Sequence, residues 1–393
     1  MSRISRPLFL LVGVLAMGVI LMPTFDAAAQ DKKKKKKDDP KEVKKDDKDK
    51  KEEKKEPFKP DPAQIEFKHV EKDKTSEKEK TFWVYAVVFG ADGKTVAASY
   101  GDRSVRIFDI GKKSEVQALK GPAKDAKGLA QYKSLVYAGD QVFVGTGWWN
   151  DKKKAREGEI RAWDAKTGKS GKALAGHILD IEGLAISKDG KFLASASEDQ
   201  TVKIWDLSKG ADTITIKGHT DSVTNAAFSP DGKQLVTTSK DKTLRVWDIA
   251  GAKELASFKV EREAEVKDGK GKVTKQKELG REFTNAVFTS DGKSVIGVNL
   301  DGIIKIFDVE AKKETKELKA HEGIWALALS PDGTKLATGG YDQTIKLWNV
   351  ADGKELRTIK AHLANVTTVS FSPDNQWLAS GSTDGLVKIW SVK

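Results

Sequence analysis

The pattern of apolar and polar positions in residues 176–206 is repeated almost position for position in residues 218–248. Within each stretch, apolar and small side chains alternate with polar ones in short runs, which is the period-two pattern of half-buried β-strands. Turn sequences such as Ser229-Pro230-Asp231-Gly232 separate the runs. Asp-Gly is typical of tight turns because glycine accepts a positive φ. The pattern therefore predicts short antiparallel strands in a repeated unit.

A closing aromatic residue marks seven copies of this unit. It occurs at Phe108, Trp163, Trp205, Trp247, Phe307, Trp348 and Trp390, and Asp follows in all but two copies, where Asn349 and Ser391 stand instead. Most copies are 41 or 42 residues apart, whereas the steps ending at Trp163 and Phe307 are 55 and 60 residues and must contain insertions. Four short strands fill one period. Because one small sheet cannot bury both of its faces, the copies should pack side by side.

These features resemble those of the WD-repeat (tryptophan-aspartate repeat) β-propeller family, through Gly-His at 176–177 and 218–219 and the Trp-Asp endings. The resemblance implies an all-β fold, a seven-bladed propeller of four-stranded antiparallel blades over residues 64–393. In such rings an N-terminal strand usually completes the last blade. Residues 64–70 alternate suitably, so we expect them to pair with residues 387–392 and remove an exposed sheet edge.

The residues before the repeats have a different composition. Arg3 and Arg6 precede an apolar run over residues 8–22 and the small residues 27–29, so we interpret residues 1–29 as a signal peptide. An uncleaved membrane anchor is the alternative, but this run is shorter than the roughly 20 residues that a spanning helix needs. Residues 30–63 consist mostly of Lys, Asp and Glu and should be a disordered tether. The lysines at 32–37 could instead contact an anionic surface.

Export to the periplasm or cell envelope follows from this interpretation, with membrane contact only transient or through an uncleaved N-terminus. The formal net charge of +12 makes nucleic acid a conceivable partner. Export argues against that partner, and we predict none. The chain has no cysteine, which excludes disulfides and thiolate metal sites. No cofactor or metal is predicted, and a monomeric propeller is expected.

Four repeats share a His, a Ser or Thr, an Asp and the closing Trp at matching positions. The sets are His177, Ser195, Asp199 and Trp205; His219, Thr237, Asp241 and Trp247; His321, Thr338, Asp342 and Trp348; and His362, Ser380, Asp384 and Trp390. The resemblance implies that each set forms a structural hydrogen-bond tetrad. In the repeats with Asp102 and Asp301 the hydroxyl and indole are missing, and His69 stands well upstream of Asp102.

Ser, His and Asp also form hydrolase triads. Four equivalent copies in four blades favour the structural interpretation, so we predict that the protein is not an enzyme. Propellers can hold an active site at the central channel, which remains the alternative. Such a site would need converging acids or a metal, and the innermost strands, for example Val84–Phe89 and residues 325–329, have the pattern of apolar packing.

Two insertions distinguish this chain. Residues 148–158 separate the second and third strands of the second repeat, and residues 260–280 before the fifth repeat resemble a projecting hairpin around Asp268-Gly269. By family topology both open on one face of the ring. The candidate partner-binding residues on that face are Trp83, Trp148, Trp149, Lys152, Lys153, Lys154, Arg156, Trp325 and Tyr341. Trp and Tyr make good binding anchors because they bury a large area at low entropy cost.

Each insertion also has an alternative without function. Trp148 and Trp149 could pack over the rim of the ring, and the hairpin could be a solvated excursion. The sequence predicts an exported, non-catalytic scaffold that binds one or more proteins. Its alternatives are a propeller enzyme with a site at the central channel and a binder of an anionic envelope polymer.

Overall fold

A computed structural model describes residues 61–72, 79–120, 131–150, 152–267 and 273–393. The described residues belong to one of the two units of the chain, residues 57–393. The predicted signal peptide, nearly all of the predicted tether and the tip of the second insertion lie outside the described residues. No helix long and apolar enough to cross a membrane occurs in the described parts of the chain.

Three strands precede the first blade: β1 (Ile65–Lys68), β2 (Val70–Lys72) and β3 (Glu79–Thr81). Blade 1 contains β4 (Val84–Phe89), β5 (Thr95–Tyr100), β6 (Ser104–Asp109) and β7 (Ser114–Lys120). Blade 2 contains β8 (Ser134–Ala138), β9 (Gln141–Asn150), β10 (Ala155–Asp164) and β11 (Leu174–His177). Blade 3 contains β12 (Ile181–Ile186), β13 (Phe192–Ser197), β14 (Thr201–Asp206) and β15 (Ala211–Lys217).

Blade 4 contains β16 (Val223–Phe228), β17 (Gln234–Ser239), β18 (Thr243–Asp248) and β19 (Lys253–Lys259). A hairpin of β20 (Glu261–Lys267) and β21 (Val273–Leu279) follows it. Blade 5 contains β22 (Phe283–Phe288), β23 (Ser294–Asn299), β24 (Ile303–Asp308) and β25 (Lys313–Lys319). Blade 6 contains β26 (Ile324–Leu329), β27 (Lys335–Gly340), β28 (Thr344–Asn349) and β29 (Glu355–Lys360). Blade 7 contains β30 (Val366–Phe371), β31 (Trp377–Ser382) and β32 (Leu386–Ser391).

The seven sheets form the predicted propeller. Each blade is an antiparallel sheet of four strands, and the first strands of neighbouring blades pack around a central channel. Chain connections between blades and turns between second and third strands lie on one face, which we call the upper face. Turns between first and second strands lie on the opposite, lower face. The all-β, seven-bladed prediction is confirmed.

The hydrophobic core lies between the blades. One cluster occupies each of the seven seams; between blades 3 and 4, for example, Ile204 and Ile216 of one blade pack with Leu235 and Trp247 of the next. The same arrangement recurs at every other seam. Each blade therefore depends on both neighbours to cover its apolar faces.

The predicted closure by the N-terminal strand is also confirmed. β1 pairs with β32 in the register Ile65↔Ile389 to Lys68↔Leu386, as the outermost strand of blade 7. Phe67 is buried at the seam and stacks on Phe108 of blade 1, with ring centroids 4.6 Å apart. Asp61 adds a contact that the sequence did not suggest. Its Oδ2 accepts from the Lys360 amide at 2.9 Å, so the same segment also contacts the outer strand of blade 6.

The channel wall differs from the expected apolar packing. A cavity of about 240 Å³ on the axis is lined by all seven blades, and its lining includes hydroxyl, amide and charged side chains. Thr224, Thr284 and Thr367 occupy one repeat position, and each hydroxyl donates to a carbonyl of the next blade's first strand, at 3.3, 2.8 and 2.6 Å. Side chains of the first strands that point away from the seams face the solvent in the channel. Their hydroxyl groups can therefore form hydrogen bonds between blades, which add to the apolar packing in the seams.

Deleting residues 64–70 should lower the melting temperature by at least about 5 °C or cause aggregation. The deletion removes the burial of Phe67, and truncating a buried Phe costs about 3–5 kcal/mol. It also exposes the edge of β32. Differential scanning calorimetry of the deletion variant measures the effect. A variant that begins at Asp61 retains β1 and serves as the control, and an unchanged melt on deletion would contradict the closure role.

Candidate functional site

The structure brings together the four side chains of every tetrad. In blade 3, His177 Nδ1 lies 2.7 Å from Asp199 Oδ2 and His177 Nε2 lies 2.7 Å from Ser195 Oγ, while Trp205 Nε1 donates to Ser195 Oγ at 2.8 Å. The sets beginning with His219, His321 and His362 repeat this arrangement, with distances of 2.7–3.2 Å. Each chain joins the connection between two blades to the interior of the second blade.

The tetrads are buried. The hydroxyl residues of all four sets have no exposed surface, and His177 is 3% exposed. Burial by itself raises the pKa of Asp199, but hydrogen bonds from His177 and Thr201 outweigh it and lower that pKa to about 2. Burial lowers the pKa of His362, against the opposing effect of Asp384. A substrate has no access to these hydroxyl groups.

Blade 1 contains part of this arrangement, which the sequence analysis did not recognise. His69 Nε2 lies 2.8 Å from Asp102 Oδ2 and 3.2 Å from Arg106 Nη2. His69 directly follows the outer strand of blade 7, and the other histidines likewise stand at or just after the end of the outer strand of the preceding blade. It stands well upstream of Asp102 because the β2–β3 hairpin is inserted between them. His69 therefore occupies the position of the tetrad histidines, although its larger distance from Asp102 in the sequence did not indicate this.

Three blades lack a complete tetrad, and in two of them, blades 1 and 5, phenylalanine pairs replace the tryptophan. Phe67 stacks on Phe108, and Phe258 stacks on Phe307 with ring centroids 4.4 Å apart. Phe67 belongs to the outer strand of the blade that precedes Phe108. Where the closing residue is Trp, the residue at the equivalent outer-strand position is smaller, as with Ile216, which packs with Trp247. A smaller closing ring is thus matched by a larger partner, which keeps the seam filled.

The candidate binding residues lie on three blades of the upper face. In blade 6, Trp325 packs on Tyr341, with ring centroids 5.1 Å apart. In blade 1, Trp83 is 43% exposed and lies 6.4 Å from the ring of Tyr85. Tyr85 and Trp325 also line the channel cavity. These two aromatic groups therefore stand at the channel mouth.

The third group is on blade 2, where the insertion extends β9 and β10 into a long hairpin. Trp149 is 39% exposed and pairs across the strands with Arg156. Trp148, the preceding residue, is half-buried. Lys152, Lys153 and Lys154 are exposed at the hairpin tip.

Arg156 anchors this hairpin to the ring. Arg156 Nη2 donates to Asp180 Oδ2 at 2.7 Å, and Asp180 is buried. A Cβ at Gly147 would lie 2.0 Å from Asp180 Oδ1, so the glycine provides the space that this carboxylate occupies. Burial raises the pKa of Asp180, against the opposing charge of Arg156. Arg156 therefore compensates a buried charge and is less available to a partner than its sequence position suggested.

A charged group lies beside the hairpin at the channel mouth. Lys133 Nζ forms an ion pair with Glu182 Oε1 and lies 3.9 Å from Glu198 Oε1. Burial, the hydrogen bond that protonated Glu198 donates to Glu182 and the negative charge of Glu182 raise the pKa of Glu198 to about 7. Glu198 therefore binds a proton more tightly than an ordinary glutamate does.

Tyr85, Glu182 and Glu198 also belong to this surface, although they were not among the residues predicted from the sequence. A usable signal existed at the second position of the first strand, which carries Thr in blades 4, 5 and 7 but Tyr85, Glu182 and Trp325 in blades 1, 3 and 6. Departures from the repeat consensus at this position identify side chains at the channel mouth. Among the described residues, no three His, Asp or Glu side chains are placed to hold a metal ion.

A family model described as "WD domain, G-beta repeat" matches the chain at residues 74–109, 168–206, 210–248, 312–349 and 353–391. The two repeats outside these matches are those that end at Trp163, which contains the first insertion, and at Phe307, which follows the second insertion.

The chain is similar in sequence to a curated protein, "Nuclear distribution protein nudF" of Aspergillus terreus (strain NIH 2624 / FGSC A1156). The two proteins are 28% identical over 137 residues, which cover 31% of this chain and 29% of the relative. The chain thus spans less than a third of that protein. The matched repeats and the seven four-stranded blades lead to one conclusion: the chain belongs to the WD-repeat β-propeller family.

Proposed function

We propose that this protein is an exported, non-catalytic platform that binds other proteins through the upper face of its propeller. The exposed apolar side chains on this face are the observation that carries the proposal. Eight large apolar side chains are exposed among the described residues, and five of them belong to upper-face connections: Trp83, Trp149, Ile178, Leu279 and Leu363. Exposed apolar groups that concentrate on one face are typical of interaction surfaces.

The channel mouth adds specificity to that face. Tyr85, Trp325 and Tyr341 offer aromatic surface on one side, and Lys133 with Glu182 offers charge on the other. WD-repeat propellers typically bind other proteins. A partner with an apolar anchor and polar flanking groups fits this combination.

The non-catalytic part of the proposal rests on burial. The tetrad hydroxyls are inaccessible, and each serves as acceptor for an indole, so we infer a structural role for all four sets. The export part rests on the composition of residues 1–29. N-terminal sequencing of the protein isolated from the cell envelope would test it, and a chain that retains residues 1–29 would contradict cleavage.

Changing Trp148 and Trp149 together to Ala should remove partners that wild-type protein captures from an envelope extract. The change deletes an exposed aromatic anchor without disturbing a seam. The matched control is F192A, because Phe192 is 37% exposed on the lower face. Mass spectrometry of the captured proteins gives the comparison. Identical partner sets for wild type and the double variant would contradict the proposed face, turnover of a small substrate would favour an enzyme, and capture of polysaccharide alone would favour a polymer binder.

Replacing Ser195 by Ala should reduce the free energy of unfolding by about 1–3 kcal/mol, because it leaves His177 Nε2 and Trp205 Nε1 without partners in a buried site. Urea denaturation measures the loss. S257A removes an exposed hydroxyl from an outer strand and should stay within about 0.5 kcal/mol of wild type. Equal stability of S195A and wild type would rule out the structural role.

Glu198 should make the protein less stable as pH rises. Its folded pKa of about 7 exceeds the ordinary 4.5, so its favourable contribution is complete below pH 4.5 and is lost as pH rises through 7. The melting temperature of wild type relative to E198Q should therefore fall between pH 5 and pH 8. E322Q removes an exposed carboxylate from the same face and controls for the loss of one charge. Parallel melting profiles of wild type and E198Q would contradict the raised pKa.

A further inference from the structure

The lower face contains a cleft between blades 1 and 2 that is separate from the proposed binding face. Its volume is about 500 Å³, within the range of small-molecule sites. Blade 1 contributes the first turn and parts of β6 and β7, and blade 2 contributes its first turn and the residues after β10.

A shortened turn creates this cleft. Six blades connect their first and second strands by five residues, for example 90–94 in blade 1 and 330–334 in blade 6. Blade 2 uses only Gly139 and Asp140, so that Ala138 pairs directly with Gln141. At several other seams the longer turns contact each other, as where the Asp332 amide donates to Asn375 Oδ1 at 3.1 Å. The two-residue turn is too short for such a contact and leaves the side of blade 1 uncovered.

The floor of the cleft is apolar. Ile107, Val116, Tyr137 and Ala165 line it, and Val116 is 44% exposed on the outer strand of blade 1. The Tyr137 hydroxyl is buried near Thr95 but forms no hydrogen bond of normal geometry. Burial raises the pKa of Tyr137 to about 12, so the hydroxyl stays protonated. The cleft therefore offers the partly exposed ring of Tyr137 as an aromatic face, whereas the buried hydroxyl group is not accessible to a ligand.

The rim is negatively charged. The charged side chains that line the cleft are Asp92, Asp140 and Lys166, which leaves one negative charge in excess. Lys166 Nζ donates to Asp140 Oδ2 at 2.8 Å, and this contact raises the pKa of Lys166. Asp92 Oδ1 accepts hydrogen bonds from the backbone amides of Lys94 and Thr95. The negative charge of Asp92 is close enough to Tyr137 to contribute to its raised pKa. Because Lys166 is bonded to Asp140, the negative charge in excess is that of Asp92, next to the aromatic wall, although Asp92 also interacts with Lys166 at longer range.

We propose that this cleft binds a small amphipathic organic cation. The apolar part of the ligand packs on Ile107, Val116 and Tyr137, and its ammonium group pairs with Asp92 over the Tyr137 ring, where a cation is attracted by the ring quadrupole. A neutral ligand lacks the ionic contact, and an anionic ligand meets the carboxylates at the rim. This site does not depend on the proposed function of the upper face.

Three probes that share a phenylethyl group test the charge requirement: 2-phenylethylammonium, its isostere 2-phenylethanol, and 3-phenylpropanoate. Amide chemical shifts of the ¹⁵N-labelled protein are followed during titration. The ammonium probe should shift the resonances of residues 90–95 and 137–140 with a dissociation constant on the order of 1 mM. The alcohol should bind at least about fivefold more weakly and the carboxylate should produce no shift. Equal binding of ammonium and alcohol, or no shift at the cleft with any probe, would overturn the proposal.

Two variants test the location. V116K places a positive charge in the cleft and should weaken binding of the ammonium probe at least about tenfold. L356K is the matched control, because Leu356 occupies the same position on the outer strand of blade 6 and is 51% exposed. Replacing Gly139-Asp140 by the five-residue turn Ser-Pro-Asp-Gly-Lys should also abolish binding. Blade 4 folds with that turn at residues 229–233, so the graft is compatible with the fold. Unchanged binding in V116K and in the graft would place the probe elsewhere and refute the site.

Discussion

The structure depends on the fact that no blade can bury its own faces. A four-stranded sheet of six-residue strands has two apolar sides, and in this protein each side is covered only by the next blade. Hydrophobic burial is therefore a property of the seams, and it is complete only when the last blade meets the first. The short strand β1 completes blade 7, and its Phe67 packs in the seam between blade 7 and blade 1. The four residues of β1 lie far from the other strands of blade 7 in sequence. They are nevertheless important for the whole structure, because they close the ring.

Polar groups in the seams follow the same requirement. In four blades a buried His, hydroxyl and Trp satisfy one another, and an Asp on the turn completes the chain. Blades 1 and 5 dispense with the hydroxyl and indole and use stacked phenylalanines instead. Both solutions fill the volume and leave few buried donors without acceptors, which is the condition that a buried surface must meet. Blade 2 has neither, since Trp163 packs beside Tyr132 in its seam without a tetrad, so the tetrad is one of several ways to close a seam in this ring.

Individual features occur where the repeats depart from their common pattern. The lengthened turn of blade 2 places Trp149 on the upper face. In blade 3, Glu182 stands at the position that carries Thr in blades 4, 5 and 7, and it brings a second carboxyl group close to Glu198 at the channel mouth. The shortened turn of the same blade opens a cleft on the lower face. A regular ring tolerates such changes because turns lie outside the seams. Surface chemistry can vary there without loss of the shared core.

Much of this architecture could be predicted from the sequence because it repeats. The recurrence of Trp205 and Trp247 indicated the blades, and the alternation around Phe67 indicated the closing strand, since period-two patterns report which side of a strand is buried. Only the tertiary structure revealed the contact of His69 with Asp102, the proximity of Glu182 to Glu198 and the cleft beside Gly139. Those features arise where separate repeats meet. Sequence alone determined which residues each blade must bury, because burial follows a local pattern, whereas only the closed ring decided which side chains face one another across a seam, because that depends on how neighbouring blades are placed in space.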